Sequence, residues 1–143
     1  MSIRIAETTW KGTLKEGAGN MKVQSGAFDV PYTWATRFGD VAGTNPEELL
    51  GAAHAGCFTM SLSGQLTNAG FPPNEIHTVA HVHFGRDEIG AVIQKIELVT
   101  TVNVPGIEQE KFLELVAVAK QKCPISRAVA SIAEIVVTGS LIS

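Results

Sequence analysis

Cys57 and Cys123 are the two thiols of this chain, the side chains that could do redox chemistry. A thiolate attacks electrophilic oxygen or sulfur, but at a pKa near 8.5 only about 3% of a thiol is ionised at pH 7. Cys57 lies about ten residues inside a stretch that reads as a helix, and a helix dipole fades within the first turn. The helix by itself therefore does not activate the thiol, and a reactive Cys57 needs a cation from elsewhere. A guanidinium at about 4 Å, in an effective dielectric of about 20, would supply up to about 4 kcal/mol, some three pK units before desolvation is subtracted. Arg4, Arg37, Arg86 and Arg127 are the candidates. Arg37 has the best local case because residues 34–40 form an irregular segment leading into the cysteine-bearing helix; the plain alternative is a solvated loop residue.

Glu47 reads first as a capping residue, since Thr44 followed by Glu47 fits a capping box. It stands ten residues before Cys57, about 15 Å along the axis and on a different face, so the two do not meet within one straight helix. If two copies of the helix cross, Glu47 of one chain approaches Cys57 of the other, where it would orient an arginine. Cys123 is far from Cys57 in sequence, and no C-x-x-C motif is present. By composition alone the two thiols are either inert core residues or a redox pair. Cys123 ends a helix, where fraying would let it move. His54, one turn before Cys57, either tunes the thiol or is a satisfied core residue. His81 and His83, with His77, share a strand face, a spacing that permits metal binding, although alternate strand histidines usually bind nothing.

The elements that must position these residues follow from the patterns. The helix starts at Thr44 with a capping signal and Pro46, continues in good helix formers or small residues from Leu49 to Leu66, and stops at Gly70 followed by Pro72-Pro73. Its apolar residues spread over all sides, which predicts a helix buried all round. Ala52, Ala53, Ala55 and Gly56 leave it thin at its middle. Before it come a strand within residues 3–13, a turn at residues 17–20, a returning strand from Met21 to Gln24, and a short edge strand near residues 28–32. After it, His77 to Phe84 and Ala91 to Val104 alternate as an antiparallel hairpin. Glu108 to Lys122 is amphipathic, with Phe112, Leu115, Val116 and Ala119 on one face. Pro124 cannot continue that helix, a short further helix follows, and Ile135 to Thr138 closes the chain as a strand. The class is α+β, as a single domain of residues 1–143. A helix of about 23 residues is roughly 35 Å long, more than one sheet and one helix can cover, so an isologous homodimer is expected.

Composition narrows the function classes. Hydrophobic content is 45% and charged content 17%, with a net charge of -3. No basic run points to nucleic acid, no stretch suits a membrane span, and no signal-peptide core is visible, so a soluble cytoplasmic protein is expected. Two cysteines are too few for a disulfide scaffold.

Three segments, Thr44-Asn45-Pro46-Glu47-Glu48-Leu49-Leu50, Ala52-Ala53-His54-Ala55-Gly56-Cys57-Phe58 and Cys123-Pro124-Ile125-Ser126, resemble the hallmarks of the OsmC/Ohr family of thiol-dependent hydroperoxide reductases. The resemblance runs over essentially the whole chain. It implies an intertwined homodimer whose central buried helices are wrapped by antiparallel sheets, with active sites at the interface. It implies that Cys57 is the peroxidatic cysteine and Cys123 the resolving one, joined in a Cys57–Cys123 disulfide, with Arg37 and Glu47 assisting. The position of Arg37 and the presence of His54 resemble the OsmC branch; Gly56, where alanine is common, is a small departure. The activity implied is peroxidase action on organic hydroperoxides and hydrogen peroxide, in oxidative or osmotic stress defence. No cofactor is implied beyond an external dithiol reductant, for which the family points to dihydrolipoyl groups. Phe58 and Met60 around Cys57 suggest an alkyl or lipid-like peroxide. Two competing readings are a metal-binding protein using the strand histidines and a non-catalytic dimeric ligand-binding module.

Overall fold

In the computed structural model, which describes residues 1–142, the chain divides into two compact units, Met1–Leu49 and Leu50–Ser143. The first holds an antiparallel sheet in the order β1 (Ala6–Lys11), β2 (Ala18–Val23), β3 (Asp29–Tyr32), then a short helix α1 (Trp34–Phe38). Gly19 on β2 faces Trp10 on one side and Tyr32 on the other. A Cβ there would lie 2.7 Å from the Trp10 ring and 3.1 Å from that of Tyr32, so glycine lets the two rings close to 5.3 Å. Of residues 1–49 only Glu47 is buried; no apolar side chain of this unit is fully covered in the single chain.

Helix α2 (Pro46–Asn68) runs from the first unit into the second. The second unit continues with β4 (Glu75–Arg86), β5 (Ala91–Asn103), α3 (Gln109–Lys122), α4 (Pro124–Ala128) and β6 (Glu134–Ile142), its sheet ordered β4-β5-β6. The α+β class is as expected, and β4 and β5 form the antiparallel hairpin. The closing strand departs from the expectation of antiparallel sheets: β6 pairs with β5 in parallel. The chain between them folds into α3 and α4, a crossover long enough to bring the next strand back in the same direction.

Alternate residues of β5, Ile96, Leu98, Thr100 and Val102, turn to the core, as the two-residue period of a strand requires. They meet Phe112, Leu115, Val116 and Ala119 of α3, and Phe58, Leu62 and Leu66 at four-residue spacing on α2. Thr59 donates to Thr78 at 2.8 Å and Thr78 to buried Thr100 at 3.0 Å, pairing hydroxyls that would otherwise lose water. Gly51 lets α2 come close to β4, since a Cβ there would lie 3.1 Å from Val82.

The helix expected to be buried all round is buried on one face only in the single chain. Gly51, His54, Phe58, Leu62 and Leu66 are covered, while Ala52, Ala53, Gly56, Met60 and Gly64 are exposed. Met60 is 79% exposed. The apolar sequence on both faces is real; one sheet and α3 simply cover one of them. Among the described residues, no helix is long and apolar enough to cross a membrane.

Candidate active site

Arg37 is not on an irregular loop. It stands in α1, whose start is closed by a reciprocal pair: Thr36 N–H donates to Thr33 Oγ1 at 3.2 Å, and Thr33 N–H to Thr36 Oγ1 at 2.9 Å. The cap of α2 also differs from expectation, by one residue. Asn45, not Thr44, accepts from a first-turn N–H, that of Glu48, at 2.8 Å. Its amide nitrogen donates to the Thr36 carbonyl at 3.2 Å, tying the α2 start to the residue beside Arg37.

That shift frees Glu47 from capping. Its carboxylate takes the Arg37 guanidinium instead, with Nη2 to Oε1 at 2.7 Å and Nε to Oε1 and Oε2 at 3.1 and 3.3 Å. A forked, charge-assisted contact of this kind fixes the direction of the guanidinium as well as its place. Glu47 is buried while the Arg37 side chain is 35% exposed. Arg37 lines a cavity of about 330 Å³ with Trp10, Leu14, Tyr32, Trp34 and Phe38. Sequence reading missed this pocket. Its available signal was the crowding of both tryptophans and the one tyrosine into the first 34 residues.

The second unit brings the two thiols together. Cys57 and Cys123 are both free, with their Sγ atoms 2.8 Å apart. Cys123 ends α3 and caps α4, with Pro124 at the first helical position, where its missing N–H is no loss. Cys123 is fully buried, its N–H donates to Ala119 O at 3.0 Å, and its sulfur accepts the Ser126 N–H at 3.4 Å. Cys57 keeps partial exposure. Burial pushes the Cys57 thiol up, and its hydrogen bond to Cys123 adds to the rise. Burial alone would raise Cys123 too, but the Cys57 hydrogen bond and the Ser126 N–H outweigh it and bring that thiol down. Of the two thiols, Cys57 is the one with partial exposure.

His54 is the core residue, not a charged neighbour of the thiol. It is fully buried and burial lowers its pKa, which keeps the ring neutral. Nε2 lies 2.7 Å from the Ser126 hydroxyl. Phe58 is core as well, fully buried, so it does not line an open surface beside Cys57.

Two of the strand histidines face one carboxylate. His83 Nε2 lies 2.8 Å from Glu97, His81 Nδ1 lies 3.9 Å from the same carboxylate, and Lys95 reaches it at 2.8 Å. The Lys95 hydrogen bond, then that of His83, holds the Glu97 carboxyl down to about 2. Among the described residues no group of three or more His, Cys, Asp or Glu is placed to hold a metal ion.

A family model described as OsmC-like protein matches residues 38–138. Over 119 residues the chain is 45% identical to Peroxiredoxin OsmC of Escherichia coli (strain K12), covering 82% of this chain and 83% of the relative. It is 32% identical over 130 residues to the Organic hydroperoxide resistance protein OhrB of Bacillus subtilis (strain 168), covering 87% and 91%. Among solved structures, an OsmC-like protein of unknown function from Vibrio cholerae superposes with a TM-score of 0.79 at 19% identity, over 97% of this chain and 99% of that one. That likeness carries the fold alone.

Proposed function

The chain belongs to the OsmC family, and from that membership we propose that it is a cysteine-based peroxidase reducing organic hydroperoxides, and hydrogen peroxide, with electrons from an external thiol. The observation that carries this reading is the accessible Cys57 thiol 2.8 Å from a buried second thiol, Cys123. The Cys57 thiolate attacks the outer oxygen of R–O–OH. The O–O bond breaks, RO⁻ leaves and takes a proton as the alcohol, and Cys57 becomes a sulfenic acid. Cys123 sulfur then attacks Cys57 sulfur, and hydroxide leaves and is protonated to water. The S–S bond forms, and an external dithiol reduces it by exchange. For that reductant the family points to dihydrolipoyl groups, available to a protein in the cytoplasm.

The cation is Arg37, aimed by Glu47. Because Glu47 precedes Cys57 by about 15 Å along its own helix, the ion pair serves the partner chain's Cys57 in a homodimer. Two observations support that assembly: the exposed small-residue face of α2, and a first unit without a buried apolar side chain. Both faces of the central helix then find cover, and residues 1–143 act as one OsmC-like domain of the dimer. The aromatic cavity beside Arg37 suits the hydrocarbon part of a hydroperoxide, which replaces Phe58 as the basis for an alkyl preference.

The test is steady-state peroxide consumption with a small dithiol as electron donor. An alkyl hydroperoxide should be turned over with a higher kcat/KM than hydrogen peroxide; no dithiol-dependent consumption of either would refute the reading. Sedimentation should give a dimer that yields no folded monomer on dilution, and a folded monomer would remove the shared site.

A further inference from the structure

Three residues of α2 reach the corner between α3 and α4 in order. His54 meets Ser126, Cys57 meets Cys123, and Ser61 donates to the Ala119 carbonyl at 3.0 Å. Their spacing of three and four puts them in one stripe along the helix. The Ala119 carbonyl also takes the Cys123 N–H, so the thiol pair is clamped on both sides. On the His54 side the links close into a ring: Nε2 to the Ser126 hydroxyl at 2.7 Å, Ser126 N–H to Cys123 sulfur at 3.4 Å, Cys123 sulfur to Cys57 sulfur, and back along α2.

Packing does not account for the ring at position 54. His54 is fully buried, and its Nδ1 has no hydrogen-bond partner among the described residues. A buried polar atom left unpaired costs free energy that an apolar side chain of similar size would avoid. What an apolar side chain cannot do is hold the Ser126 hydroxyl. We propose that His54 is a positioning residue for disulfide formation, holding Ser126 so that its N–H fixes Cys123 sulfur opposite Cys57. This rests on the peroxidase reading and concerns its second step. Peroxide attack involves Cys57 alone. Resolution requires Cys123 sulfur to displace hydroxide from the Cys57 sulfenic acid, and the Ser126 N–H stabilises the charge on Cys123 as it attacks. Without the clamp the sulfenic acid lives longer. A second peroxide then oxidises it to sulfinic acid, releasing a second alcohol.

The experiment follows fully reduced protein after one equivalent of an alkyl hydroperoxide. Samples are quenched with a sulfenic-acid trap and a thiol alkylator, and the species are counted by intact mass. In His54→Leu and in Ser126→Ala, which removes only one oxygen, disulfide formation should slow by on the order of tenfold, the effect of one lost hydrogen bond. Trapped sulfenic acid and, in excess peroxide, sulfinic acid should rise, while the rate of peroxide loss changes far less. His54→Gln, whose amide can reach Ser126, should recover most of the rate. A disulfide rate within twofold of wild type in Ser126→Ala, or His54→Gln no faster than His54→Leu, would overturn the positioning role and leave the peroxidase reading intact. A wild type that forms neither sulfenic acid nor disulfide would overturn both.

Discussion

Cys57→Ser is expected to lose all peroxide turnover, because a hydroxyl cannot be cycled through a sulfenic acid by peroxide and thiol. Cys123→Ser should behave differently. Its Cys57 remains accessible, so it consumes a first equivalent of hydroperoxide and stops at sulfenic acid with no second sulfur beside it. More peroxide then drives it to sulfinic acid, seen as a gain of two oxygens by mass. The asymmetry follows from exposure: Cys57 is partly open and Cys123 fully buried. If Cys57→Ser keeps turning over, or if Cys123→Ser is the dead variant with untouched Cys57, the roles are reversed.

Arg37→Ala carries the next largest effect. Burial already lifts the Cys57 thiol above its ordinary value, so an opposing cation is needed at neutral pH. On the proposed assignment the arginine favours the charged thiolate, so its removal should raise the thiol pKa. At pH 7 the rate of peroxide attack should fall by on the order of a hundredfold, the Coulomb gain of a close guanidinium less its desolvation. The loss should shrink as pH rises and the thiol ionises without help. Glu47→Ala should act in the same direction and more mildly. Because Asn45 caps α2, that variant reports on aim of the guanidinium and not on a lost helix cap. Mixed dimers locate the contact. The ion pair lies within one chain, so a Cys57→Ser chain beside a Glu47→Ala chain keeps one complete site only if the pair acts across the interface. Activity equal to a Cys57→Ser/wild-type dimer is expected, and activity lowered to that of a Cys57→Ser, Glu47→Ala chain paired with a Glu47→Ala chain would place Glu47 with its own chain's cysteine.

The long patterned elements were legible in the sequence, because burial writes a period into them. β4 and β5 alternate, and Phe112, Leu115, Val116 and Ala119 repeat along α3. Some elements without a period were misread. α1 is five residues long, too short to show one, although Thr33 and Thr36 were there as its cap. Thr44 with Glu47 and Asn45 with Glu48 fit a capping pattern equally well. The reach of the Asn45 amide to Thr36 selects the second, and this moves Glu47 from cap to ion pair. The direction of β6 depends on the crossover before it and not on its own residues. The candidate site was legible through its motifs more than its physics. Nothing in the spacing of Cys57 and Cys123 predicts contact, and the family resemblance alone joined them. The link from His54 to Ser126 crosses 72 positions and leaves no local trace.

If Cys57 and Cys123 form one redox couple within a chain, a thiol titration of wild-type protein will register it. Reduced protein should present two free thiols per chain, and one equivalent of an alkyl hydroperoxide should remove both. Mass analysis should show a single intrachain Cys57–Cys123 disulfide that a dithiol reverses. Two thiols still free after that equivalent, or a bond mainly between chains on non-reducing gels, would contradict the account.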